Sequence, residues 1–154
     1  MYGARKFVQA SYDRNDEWGR NVLVQWLESF DDRFEIVTKD KEDYKVDVLT
    51  YDTKNQKQIG FEVEVKHNYP FTDADSFKFD TVSFLGRKKK FGDFYYVIVC
   101  AETEALLMAH SDVIYREEYR EIKTIATNER NGLDEFYRVP KDKCLFYKTM
   151  KGGE

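Results

Sequence analysis

The chain has 154 residues and a net charge of -4, with 42% hydrophobic, 16% aromatic and 35% charged residues. That length suits one domain, and the apolar share is enough to fill its core, which excludes wholesale disorder. No run approaches the roughly 20 apolar residues of a membrane span. The acidic balance argues against a protein that coats nucleic acid indiscriminately, yet leaves room for a local basic patch.

In chain order, the opening MYGARKFVQA lacks the apolar stretch of a signal peptide. Trp18, Val22, Leu23, Trp26, Leu27 and Phe30 recur at helical spacing, with Asp16 and Glu17 in the first turn, where the helix dipole favours acids. A short strand is predicted over 34–37. The segments 45–51 (KVDVLTY) and 60–66 (GFEVEVK) flank a polar turn and predict a hairpin. Alternation in the second is strict: Phe61, Val63 and Val65 face one side, Glu62, Glu64 and Lys66 the other. Residues 67–80 read as a loop rich in aromatics and aspartates. The segment 81–91 is predicted as a helix carrying the only dense basic run, Arg87, Lys88, Lys89 and Lys90. The apolar FYYVIVC of 94–100 reads as a central strand, and 105–110 as another. A short charged helix is predicted over 113–122, and late strands over 135–139 and 144–147. This order describes a single α/β or α+β domain over 1–150, followed by a frayed tail at 151–154. Cys100 and Cys144 have no CxxC spacing and read as reduced thiols of a cytoplasmic protein.

Chemistry is suggested by polar groups on adjacent strands. Asp47 stands between Val46 and Val48, and Glu64 and Lys66 share a face of the next strand. In a hairpin, Asp47 comes close to that pair. Two carboxylates on neighbouring strands suit a hard cation such as Mg²⁺, which takes one or two carboxylates and keeps waters. A lysine beside them can hold a water or stabilise charge at phosphorus. His67 points to the opposite face if the strand continues, and His110 reads as structural.

Asp47 followed by Glu64-Val65-Lys66, within a helix, three strands, a helix and a further strand, resembles the PD-(D/E)xK nuclease superfamily. The resemblance covers roughly residues 13–110, and Val46 stands where the family name has Pro. It implies a restriction-endonuclease-like core, a central mixed β-sheet flanked by helices. It also implies a Mg²⁺-dependent endodeoxyribonuclease, with Mn²⁺ able to substitute. Asp47 and Glu64 would bind the metal, with the Val65 carbonyl as a third ligand and Lys66 assisting the attacking water. Glu17 is an accessory acid by the same resemblance. Glu62 is either an extra ligand or a rim carboxylate, the second reading being preferred. Arg87, Lys88, Lys89 and Lys90 are expected to contact DNA phosphates, independently of the metal site because they lie on another element. Tyr69, Phe71, Phe77 and Phe79 are core, lid or base-stacking residues. A homodimer is expected by analogy, with no membrane partner. The rival readings are an inactive nucleic-acid-binding module of the same fold and an unrelated partner-binding α/β protein.

Overall fold

A computed structural model describes residues 17–37, 46–126 and 131–148. Asp16, the start of the 45–51 strand and the tail at 151–154 lie outside them.

The first helix, α1 (Gly19–Glu28), turns Val22, Leu23 and Leu27 onto a sheet and leaves its polar side to solvent. β1 (Phe34–Ile36), β2 (Val48–Asp52) and β3 (Lys57–Lys66) form an antiparallel meander. β4 (Thr81–Leu85) leaves that sheet, a 3₁₀ turn follows at Gly86–Phe91, and β5 (Tyr95–Cys100) returns parallel to β3. β6 (Leu106–His110) pairs antiparallel with β5, and a single helical turn, α2 (Ser111–Ile114), follows it. β7 (Arg120–Ala126) and β8 (Asn131–Pro140) make a second hairpin, and β9 (Leu145–Tyr147) closes the first sheet against β6.

The result is a mixed six-stranded sheet, β1-β2-β3-β5-β6-β9, and a three-stranded sheet, β4-β8-β7. The large sheet has two apolar faces. Val63, Val65, Val97, Val99, Leu106 and Met108 pack with α1 on one. Tyr96, Ile98, Cys100, Leu107 and Ala109 pack with Val82, Phe84, Tyr137 and Val139 of the small sheet on the other. Burial on both faces explains why β5 reads as an unbroken apolar run.

The α/β class, the β2–β3 hairpin and the central strand agree with the expectation. Flanking helices do not: one face carries α1, the other a sheet. Two predicted helices are corrected. The segment 81–91 is β4 and then a 3₁₀ turn, because Val82 and Phe84 alternate inward and Gly86 leaves no room for a side chain. A Cβ there would meet a Glu135 carboxylate oxygen at 2.6 Å. The segment 113–122 holds the end of α2, a short 3₁₀ turn and the start of β7. Among the described residues no helix is long and apolar enough to cross a membrane.

Candidate functional site

β2 pairs with β3 from Asp52↔Lys57 to Val48↔Phe61 and then ends. One step further places Asp47 opposite Glu62, on the face that looks toward the small sheet. Two hydrogen bonds fix it there. The Asp47 N–H donates to Glu62 Oε2 at 2.8 Å, and the Val63 N–H donates to Asp47 Oδ2 at 2.9 Å. The carboxylate thus caps a strand donor that β2 no longer reaches. Backbone groups two residues apart in a strand point to the same edge, so the Val65 carbonyl opens toward the side where β2 has ended.

Glu64 lies diagonally from Asp47, within reach across an antiparallel pair. Its Oε1 accepts a 2.5 Å hydrogen bond from the Tyr96 hydroxyl, which accepts in turn from the Leu85 N–H at 3.3 Å. Burial, and then the Glu64 charge, hold the Tyr96 phenol well above its ordinary value, so it remains a donor. The other oxygen of Glu64 makes no hydrogen bond to the described residues. Lys66, on the same face, donates to the Ser83 carbonyl of β4 at 3.4 Å and makes no ion pair among the described residues.

Glu62 is not a rim carboxylate. Only 4% of it is exposed, and its Oε1 meets Lys88 Nζ at 2.9 Å. Lys88 also lies 5.6 Å from the centre of the Tyr96 ring. The basic run is therefore not one solvated strip. Lys88 turns inward, while Arg87, Lys89 and Lys90 are exposed, Lys89 reaching the Tyr137 hydroxyl at 3.4 Å. Lys88 is tied directly to the carboxylate face. Its partner Glu62 also holds Asp47.

Glu17 is exposed, two residues before Gly19. Gly19 sits against the site strand: a Cβ there would meet Val65 Cγ2 at 2.6 Å. The start of α1 thus overlies the end of β3 that carries Glu64 and Lys66. His110 is structural: its Nδ1 accepts from the Asp112 N–H at 3.1 Å, and its Nε2 faces Asp93. Cys100 and Cys144 are buried free thiols.

The chain matches no family model, no curated protein and no solved structure.

The sequence reading missed Tyr96 and the true position of Lys88. Tyr96 had a signal, a hydroxyl inside the most apolar strand, where a buried phenol needs a partner. Lys88 had none, since its carboxylate lies 26 residues earlier. No cluster of three or more His, Cys, Asp or Glu among the described residues is arranged to hold a metal ion. A cation here would draw on two carboxylates, Asp47 and Glu64, and on the Val65 carbonyl. An all-oxygen set of that size fits Mg²⁺, which keeps waters in its remaining positions.

Proposed function

We propose that this face of β3 is a Mg²⁺-dependent phosphodiesterase site acting on DNA, in a chain of the PD-(D/E)xK nuclease type with a restriction-endonuclease-like core. One observation carries the reading. Asp47 and Glu64 sit diagonally across the point where β2 leaves β3, with Lys66 next on the same face. The strand path supports it too, a meander followed by a crossover to a parallel neighbour. The absence of a long helix in that crossover is a departure from the family pattern.

Asp47, Glu64 and the Val65 carbonyl would hold the ion, which supplies Lewis-acid stabilisation of charge at phosphorus. Tyr96 fixes the rotamer of Glu64 and leaves one oxygen available. Lys66 presents an ammonium to a water or to a non-bridging phosphate oxygen. That interaction grows as negative charge develops in the transition state, so it acts on kcat more than on binding.

The test is cleavage of supercoiled, linear, single-stranded and branched DNA with Mg²⁺ or Mn²⁺, alongside Mn²⁺ titration calorimetry. Asp47→Asn keeps an acceptor for the Val63 N–H, and Glu64→Gln keeps one for Tyr96, so both variants are expected to fold, as circular dichroism will check. Each is expected to lose metal binding and at least 100-fold in rate. Lys66→Ala is expected to lose a similar factor in rate, consistent with removal of one transition-state donor, while still binding Mn²⁺. Near wild-type cutting by either acid variant refutes the assignment.

A second reading is a catalytically inactive nucleic-acid-binding module. It is favoured by the commitment of Glu62 to Lys88 and of one Glu64 oxygen to Tyr96. Binding of DNA without cleavage of any of the four substrates, under either metal, would select it.

A further inference from the structure

A cleft of about 380 Å³ opens beside Lys66, between the large sheet and the edge of β4. That volume lies within the range of small-ligand sites. Its cations among the described residues are Lys66 from β3, Lys123 from β7 and Arg138 from β8, and no carboxylate of those residues lines it. Glu121, outside the lining, lies 3.7 Å from Lys123 and 3.4 Å from Arg138. The other wall is aromatic. Phe71 is buried at its base, and Phe77 meets it edge-on at 5.6 Å. Tyr69 and Phe79 lie 5.4 Å apart at the mouth and stay 44% and 43% exposed, high values for such large apolar rings. Lys78 Nζ lies 5.4 Å from the centre of the Tyr69 ring and 5.1 Å from that of Phe79, adding a fourth cation at the rim.

Cations alone would suit any anion, and aromatic rings alone any apolar surface. Together in one concave site they suit an anion that carries a flat ring. We propose that this cleft receives one unpaired nucleotide of a DNA substrate. Its base lies against Tyr69 and Phe79, and its phosphate lies toward Lys66, Lys123 and Arg138. The inference rests on the phosphodiester reading, because Lys66 is shared by the two sites and sets where the backbone runs. A base paired within a duplex has no free face to offer these rings, so the substrate class becomes DNA with an unpaired stretch.

The test uses the full chain with EDTA, so that no cleavage occurs. Fluorescence anisotropy follows a labelled single-stranded oligonucleotide and a blunt duplex of equal length. The single strand is expected to bind more tightly. Phe79→Ala and Tyr69→Ala are each expected to weaken it about tenfold or more, within the range for one stacked base, and to leave duplex binding unchanged. Lys123→Ala is expected to lower the salt slope of single-strand binding by about 0.7, the value for one lost phosphate contact. Equal binding of the two DNAs, or unchanged single-strand binding in both aromatic variants, overturns the inference. So does competition by inorganic phosphate as strong as that by a mononucleotide. Metal-dependent cleavage that survives alongside unchanged binding in the aromatic variants retires the cleft and keeps the phosphodiesterase. Aromatic-dependent single-strand binding without cleavage under any metal supports the cleft and retires the phosphodiesterase.

Discussion

Replacing Lys88 by Met keeps an unbranched apolar stem and removes the terminal ammonium, with its charge and its hydrogen bond to Glu62. In the wild-type chain the Glu62 carboxylate is 5% exposed and Lys88 16% exposed as side chains, with 2.9 Å between charged atoms. Breaking a buried ion pair by removing one partner costs roughly 3–5 kcal/mol, because the remaining charge stays desolvated. Water reaches Lys88 in part, which places the cost near the lower end, about 3 kcal/mol. For a domain of this size each 1 kcal/mol moves Tm by roughly 2–4 °C, so the variant should melt about 6–12 °C below wild type. The double variant Glu62→Gln/Lys88→Met separates an unpaired charge from lost packing. The amide oxygen of Gln can still accept from the Asp47 N–H, and neither member of the pair leaves a buried charge. It should therefore be more stable than Lys88→Met alone. Urea unfolding of the four proteins in one buffer gives the coupling energy directly. A Lys88→Met variant within about 0.5 kcal/mol of wild type, the scatter of ordinary surface changes, would refute the reasoning. So would a double variant no more stable than Lys88→Met.

Asp52 gives a pH dependence. The Arg33 guanidinium, and then hydrogen bonds from Asn55 and the Lys54 N–H, bring its carboxyl down to about 2. A folded-state value below the unfolded value of about 3.9 means its stabilisation is present above that value and is lost as pH falls toward 2. Asp52→Asn should flatten the acid limb of stability between those limits, measured by urea unfolding at several pH values; an unchanged limb would count against the assignment. Gly19→Ala should lower Tm despite alanine's better helix propensity, because its Cβ would sit 2.6 Å from Val65 Cγ2 and push α1 off the sheet. Thermal melting followed by circular dichroism decides this, and a rise in Tm would show that α1 shifts at no cost. Cys144, pushed up to about 12 by burial and then by Asp142, should resist alkylation at pH 8 in the native protein and react promptly in urea.

The parts of the fold that were legible in the sequence are those whose burial is periodic. Val22, Leu23 and Leu27 mark one helical face, and Phe61, Val63 and Val65 mark one strand face. The segment 81–91 misled because two short elements were read as one. Val82 and Phe84 already alternate, but the Arg-Lys-Lys-Lys run after them suggested a solvated helix face. β7 was illegible for another reason. It is the outer strand of the small sheet, held by backbone pairing to β8, and Ile122 is 48% exposed. Of its side chains, Arg120, Ile122 and Lys123 are exposed, and an edge strand of that kind leaves little alternation to read. At the site, the shared face of Glu62, Glu64 and Lys66 was visible from period two alone. Which of the three would be buried was not. That depends on Lys88 and Tyr96, which reach them through the tertiary fold.

The parallel pairing of β3 with β5 has a consequence for how the chain reaches its working form. Parallel strands cannot be joined by a tight turn, and here the crossover delivers Ser83 to Lys66, Lys88 to Glu62 and, at its far end, Tyr96 to Glu64. The β2–β3 hairpin is built from neighbouring segments and needs none of this. Its acids gain their cation and their phenol only when the crossover closes, a step that carries the entropy cost of a long loop. A chain with only its hairpin formed holds three carboxylates facing one another and water. The arrangement of carboxylates, lysine and phenol proposed above to act on DNA is thus complete only in the finished fold, and a chain with only its hairpin formed lacks it.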